Sequence, residues 1–505
     1  MKTYIKYASL LILTICTLIQ YGCEKHLDVK AADVASEELQ WTDISDTKAG
    51  LIGMYGLLRA ALLEGNGHWV YGELRSGDFI SYTRADLDAV HDHDLNASYP
   101  LIKTLTNWRR FYAVINAASL FIERAPEVLQ KDSRYTDVNL KWDIAQARTV
   151  RAFTYFYMVR IWGDVPLLKS SFDDGEFLER PRNSKETVLE YVESELLKAA
   201  EDLPYTYSLS SSSYYNEGFS VWRGVLFNKV TAYALLAHVA AWGERYVQAD
   251  VYSKFVLDNY ARIGLSYSSI STLTGQAGIF SNQFTGGQLL CIVAPYAFSE
   301  ATATGHIEEL TLAEPLVYKK NPAMYVSKDT ITSLFPEPND TRFGIDTLSG
   351  LTRTNYFSNY SGETPIFSKI KVLRDGGTSE ASYAVFGSSL LFTRLEEMTL
   401  LRAEILTVLR QEAEATRLLN VVKTLRGTKA HTSTSNEDLL TAIFQERRRE
   451  LMGEGWRWYD QIRLNRLKRV DNAVTELIDK HGIYWPIARE VLNNNSLLEQ
   501  NAYWK

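Results

Sequence analysis

Six side chains in the run "DLDAVHDHDLN" could do chemistry together: Asp86, Asp88, His91, Asp92, His93 and Asp94. Alternating carboxylates and imidazoles suit a divalent cation, with oxygen donors for a hard ion and ring nitrogens for a softer one. The same spacing describes an exposed acidic loop, the simpler expectation, and no metal is assigned. A second concentration is "ERRRELMGEGWRWYDQIR", residues 446–463. Glu450 and Glu454 suggest an acid–base couple, but two carboxylates alone prescribe no reaction. Three consecutive arginines suggest phosphate binding, but acids interrupt them on both sides. Helical spacing sets Glu446 one turn from Arg449, and Arg457 three residues from Asp460, so these charges are expected to pair locally. Gly453 and Gly455 break the helix, and Trp458 and Ile462 share a face of the next one. The run is therefore read as a structural joint. The chain carries no Walker P-loop, no G-x-G-x-x-G, no G-x-S-x-G and no H-E-x-x-H. No catalytic residue and no cofactor is assigned.

The elements that position these residues are mostly helices. In "AQARTVRAFTYFYMVRIWGDVP", Val150, Phe153, Tyr157 and Ile161 fall at helical spacing, with Gly163 as a stop and Pro166 beyond it. "SKETVLEYVESELLKAAEDLP" opens on Ser184 and Thr187 and ends at Pro204. "AYALLAHVAAWGERYVQADVYSKFVLDN" offers Ala237, Gly243 and Ala249 where two antiparallel helices cross closely. "LLRAEILTVLRQEAEATRLLNVVKTLRG" repeats that grammar with Ala403 and Ala413. Both look like degenerate tetratricopeptide hairpins, without a strict 34-residue period. Residues 261–390 differ: Ser, Thr, Gly, Asn and Tyr dominate, with short β-like runs such as "QLLCIVAPY" and "PIFSKIKVL". Too long for a plain loop, this stretch reads as an inserted lobe.

The 505 residues carry 54 Lys+Arg against 61 Asp+Glu, a formal charge of −7 that repels phosphate backbones. Nucleic acid is not an expected partner. Among the aromatics, 30 Tyr and 11 Trp combine an apolar face with a hydrogen-bonding tip. At the start, "MKTYIK" precedes the apolar "YASLLILTICTLI" and then "QYGC", the layout of a secretory signal too short for a membrane span. Cys23 follows Gly22, where a bacterial lipoprotein is cut and acylated. Gln20 and Tyr21 depart from the usual lipobox. The expected organisation is a signal peptide over 1–22, a lipidated tether over 23–45, a helical scaffold over 46–260, the inserted lobe over 261–390, and a C-terminal helical region over 391–505. Cys291 would be the one other cysteine of the cut chain, so an acylated Cys23 leaves no disulfide.

Several segments in order resemble the SusD/RagB family of outer-membrane nutrient-binding lipoproteins. "ERRRELMGEGWRWYDQIR" is similar to the family signature, and "CEKHLDV" to its mature start. "NWRRFYAVINAASLFIE" resembles the W-x-x-x-Y…N helix, and "ARTVRAFTYFYMVRIWGDVPLL" the R-A-x-x-Y-F…G-x-x-P helix. "LLRAEIL" is similar to the R-A-E helix. "YWPIAREVLNNNSLLEQNAYW" resembles the closing P-I-P…N…Q-N-x-Y, with Ala488 where the second proline is usual. The resemblance implies a mainly α, SusD-like fold: tetratricopeptide-like hairpins with an inserted irregular lobe of short strands. It implies a non-enzymatic protein that binds oligosaccharides, or peptides in some members, and delivers them to a SusC-type TonB-dependent transporter. It also implies a lipid anchor on the outer face of the outer membrane, through Cys23. A hydrolase and a tetratricopeptide scaffold binding only protein are the competing classes. The segment before the W-x-x-x-Y helix and the middle lobe face ligand in the family. Carried over here, they give Asp78, Tyr82 and Arg84 from the first, and Tyr296 and Tyr325 from the second, as expected ligand contacts. Trp108 and Tyr112 share a helix face at i, i+4 and are expected in the core.

Overall fold

Helix α1 (Ile44–Leu63) begins where the Asp43 carboxylate accepts from the backbone N–H groups of Ser45 (2.8 Å) and Asp46 (3.2 Å). Such caps satisfy donors that the first helical turn leaves unpaired and contribute about 1 kcal/mol each. The computed structural model describes residues 40–505 apart from 173–178, 208–213, 218–221, 223, 294–300, 346–348, 351, 354, 378, 380–383 and 436. The expected signal peptide, Cys23 and Tyr296 lie outside the described residues.

Three short helices follow, α2 (Gly67–Gly72), α3 (Ala85–His91) and α4 (Pro100–Leu105). The long ones come next: α5 (Arg109–Lys131), α6 (Asp137–Trp162), α7 (Lys185–Asp202), α8 (Lys229–Trp242) and α9 (Tyr246–Asn259). Ser184 caps α7 as its sequence suggests, accepting from the Thr187 N–H at 3.3 Å. Gly163 ends α6 with φ at 74°, a conformation glycine adopts without a Cβ penalty. Val150, Phe153, Tyr157 and Ile161 are all buried, but so is every other residue from Thr149 to Trp162. Packed against α1, α5 and α7, this helix is central, and from Thr149 on it has no solvent stripe.

The hairpin of α8 and α9 crosses on small residues. Ala234, Ala237, Ala240, Ala241 and Ala249 are buried together, with Met398, Leu401 and Ile405 of α11 (Leu395–Val408) closing the cluster. α12 (Glu412–Leu425) pairs with α11 through Ala403, Leu406, Ala415 and Leu419. Ala413, expected at that crossing, is exposed; Ala415 takes its place, because α12 starts at Glu412 and its apolar face runs through 415, 418, 419 and 422.

Strands are few and short. β1 (Ile80–Ser81), β2 (Gln288–Ile292), β3 (Met324–Tyr325) and β4 (Leu390–Arg394) form two antiparallel pairs, β1 with β3 and β2 with β4. Residues 261–390 otherwise hold short helices, among them α10 (Lys328–Leu334), and two- and three-residue ladders such as Phe357–Ser358 against Ile366–Phe367. The fold is mainly α with this irregular lobe attached. Among the described residues no helix is long and apolar enough to cross a membrane.

Candidate functional site

The geometry starts from the joint. α13 (Leu439–Glu450) ends in a turn where Gly453 and Gly455 take φ of 76° and 79°, and α14 (Arg457–Lys468) follows. Glu450 lies at the centre of a fully buried ionic cluster. Its Oε1 accepts from Arg394 Nη1 and Arg426 Nη2, both at 2.7 Å, and its Oε2 from Arg426 Nε at 2.9 Å and Arg342 Nη1 at 3.1 Å. Burial alone would raise this carboxyl, but Arg426 and Arg394 hold it well below the usual range. Glu454 accepts from Arg394 Nε at 3.0 Å and from the Lys369 ammonium at 2.5 Å. Glu446 pairs with Arg449 at 2.9 Å, the local pairing expected. Arg457 does not pair with Asp460. Asp460 is taken by Arg447 (2.9 Å) and Arg463 (2.9 Å), and Arg457 reaches back to Asp78 (3.1 Å).

The joint also holds α2 at very short range. A Cβ on Gly72 would sit 2.0 Å from the Gly455 carbonyl oxygen, so only glycine permits this approach. Glu73 accepts from the N–H groups of Gly455 (2.7 Å) and Trp456 (3.2 Å), and His68 Nε2 meets the Glu454 carbonyl at 3.0 Å. Trp458 is buried, with the Arg75 guanidinium over its ring at 4.4 Å and the His93 ring at 5.4 Å.

Asp78, at the end of this framework, is 4% exposed and receives Arg448 Nε (2.9 Å) and Arg457 Nε (3.1 Å). Expected as a ligand contact, its carboxylate instead faces the joint, because two guanidiniums satisfy it below the surface. Two residues on, β1 runs antiparallel to β3, with Ile80 opposite Tyr325 and Ser81 opposite Met324. The Tyr82 N–H extends the ladder by donating to the Ala323 carbonyl at 2.9 Å. The rings of Tyr82 and Tyr325 consequently lie 6.1 Å apart, edge to face, and Tyr82 is 38% exposed. Arg84 is next along. Its Nε and Nη2 grip Asp86 at 2.7 and 2.5 Å, and this bond raises the guanidinium pKa and lowers the carboxyl pKa.

The structure therefore brings Tyr82 and Tyr325 together, leaves Arg84 two residues beyond Tyr82 with Asp86, and turns Asp78 toward the joint. Tyr360, not singled out from the sequence, packs on α10, its hydroxyl 3.1 Å from Thr332 and its ring 5.6 Å from the Lys328 ammonium. A lone tyrosine in "FSNYSG" has no periodic signal to find it by. Trp108 is buried as expected, whereas Tyr112 is half-buried and lines a separate cavity of about 480 Å³. In the acidic run, Asp86 serves Arg84, His91 meets Asp92 at 2.8 Å, and His93 accepts from Arg75 Nε at 3.0 Å. Among the described residues no group of three or more such side chains converges on a common point.

With the fold and this face described, the likeness to known proteins is specific. The sequence profile of the SusD family matches residues 358–504. A SusD superfamily protein from Bacteroides thetaiotaomicron, known from its crystal structure, is 47% identical, with a TM-score of 0.85 over 92% of this chain and 100% of that one. The SusD-like protein P38 of Formosa agariphila is 25% identical over 97% of this chain and 98% of its own. A SusD homolog from Bacteroides thetaiotaomicron shares the fold at 22% identity, with a TM-score of 0.73 over 92% of this chain and 99% of that one. The chain belongs to the SusD/RagB family, and membership supports a role in nutrient binding.

Proposed function

We propose that this protein captures oligosaccharides on the face built by Tyr82, Arg84 and Tyr325 and delivers them to a SusC-type TonB-dependent transporter. The observation that supports the reading is the β1–β3 pairing, which joins the N-terminal segment to the lobe and holds two tyrosine rings 6.1 Å apart, with Arg84 two residues beyond Tyr82. Sugar C–H faces stack on such rings, while guanidinium and carboxylate groups bond the hydroxyls. Residues 261–390 serve in this reading as the ligand-facing lobe. The protein acts by binding, without turnover. Acylation at Cys23 anchors it to the outer membrane, facing the cell exterior.

An open stacking face buries little ligand area, which gives affinities on the order of micromolar to millimolar. Weak capture suits a protein that must release its cargo. Affinity gels cast with individual polysaccharides test the reading. The wild type is retarded by at least one, and the Tyr82→Ala/Tyr325→Ala variant migrates freely on it. Unretarded wild type on every glycan, or product formation from any of them, overturns the reading.

A further inference from the structure

A cavity of about 530 Å³ opens between the loop before α4, α4 itself and the C-terminal segment, away from the lobe. The Ala488 N–H donates to the Thr106 carbonyl at 3.0 Å, holding the two sides in register. Lys103 stands on one side and Arg489 on the other, and both are exposed. Neither has a carboxylate within ion-pair distance among the described residues. The nearby acid Glu490, which also lines the cavity, accepts from the Asn107 amide at 3.2 Å. Gln500 forms a fixed wall, since its amide accepts from the Ile487 N–H (2.8 Å) and donates to the Ile487 carbonyl (2.9 Å). The Trp504 ring is pinned by its Nε1 bond to the Tyr484 carbonyl at 2.8 Å. Asn96 and Ser98, whose side chains have no hydrogen-bond partner among the described residues, add polar groups to the lining.

We infer that this cavity is a second saccharide site that selects sugars carrying a carboxylate, with Lys103 and Arg489 reading the acid and Trp504 stacking on the ring. A guanidinium presents a planar fork that matches a carboxylate, and a neighbouring ammonium adds a point charge. The chain is negative overall, but charges are screened beyond about 8 Å at physiological salt, so the lining decides, and there Lys103 and Arg489 outnumber the one carboxylate, Glu490. The volume, about 530 Å³, lies within the range of small-molecule sites. The inference rests on the reading of the cargo as saccharide, and its test uses residues outside the Tyr82–Tyr325 face.

Calorimetry is run with trimers of galacturonate, glucuronate and guluronate, and with their neutral methyl esters. Wild type and the Tyr82→Ala/Tyr325→Ala variant both bind at least one acid, at least tenfold tighter than its ester, and lose that preference in high salt. Lys103→Ala/Arg489→Ala loses at least tenfold in affinity for the acid while keeping the wild-type melting temperature and retention on the neutral glycan that the tyrosine face binds. The inference is overturned if no acid binds, if acid and ester bind alike, or if the double variant binds as wild type. Loss of acid binding in the tyrosine variant places the acid on the open face instead, and also overturns it.

Discussion

Arg457 donates to Asp78 at 3.1 Å across 379 residues of chain, and beside it Arg448 donates to the same carboxylate. The ion pair fixes the residue from which β1 and Tyr82 extend, so the structural joint sets the geometry of the candidate ligand face. Asp78→Ala leaves two cations without their carboxylate. Removing one partner of a fully buried pair costs about 3–5 kcal/mol, and the partial exposure of Arg448 reduces this to about 2 kcal/mol here. Urea unfolding checks it: an unchanged midpoint would mean the pair holds nothing in place.

Trp458→Ala opens a hole beneath the Arg75 guanidinium and is expected to cost about 3–5 kcal/mol, since the ring is buried. The expected result is a lowered melting temperature, with ligand affinity retained by the fraction still folded. Wild-type melting together with lost binding would assign the ring to the ligand rather than the joint.

On the open face, Tyr82→Ala removes an exposed stacking ring without emptying the core. The expected loss is about 1–3 kcal/mol of binding, roughly ten- to a hundredfold in affinity, at unchanged stability. Tyr325→Ala should match it, because the two rings meet. Calorimetry with a glycan that retards the wild type reads both, and intact affinity in both variants would put the site on another surface.

Glu73 gives a pH dependence with a definite sign. Burial pushes its carboxyl up to about 8, against the two N–H bonds from Gly455 and Trp456, and its Oε2 has no hydrogen-bond partner among the described residues. An unfolded glutamate releases its proton near pH 4.5, whereas the native one holds it to about 8. Between those values the native state binds more protons, so this group lowers stability as pH rises. Glu73→Gln keeps the accepting oxygen and removes the ionisation. Denaturation at a series of pH values should show a flatter decline for the variant over pH 4.5–8, and parallel curves would show that Glu73 ionises as in water.

The proposed anchor is tested by Cys23→Ser, which should release a folded protein from the membrane fraction. One acyl chain binds membranes marginally, and the two or three of a bacterial lipoprotein bind stably. A serine variant that stays in the membrane fraction points to another attachment.

The joint was legible in the sequence because glycines, tryptophans and charges crowd into eighteen residues that fit no catalytic pattern. Its wiring was not. Helical spacing within α14 offers Arg457 Asp460, whereas its guanidinium takes Asp78, delivered by the bend before β1 from the other end of the chain. Helix existence was readable from the α6 pattern and the Ser184 cap, but phase was not always so, as the exchange of Ala413 for Ala415 shows. Tyr82 and Tyr325 could be paired only through a resemblance, since nothing local in either segment encodes a two-residue ladder with the other.

The close approach of Gly72 to Gly455 has a consequence for the order in which the molecule assembles. Ribosomes make the chain from its N-terminus, and α2, Asp78 and Tyr82 are all synthesised before the residues that fasten them. Until Arg448, Gly455 and Arg457 emerge in the last sixty or so residues, the carboxylates of Glu73 and Asp78 lack these partners and Gly72 has no surface to receive it. The β1–β3 ladder needs only residues up to 325, but the ion pairs that hold Asp78 beside it can close only late in synthesis. A chain stopped short of residue 448 would contain its long early helices and both strands of the β1–β3 ladder, and still lack the two guanidiniums that hold Asp78.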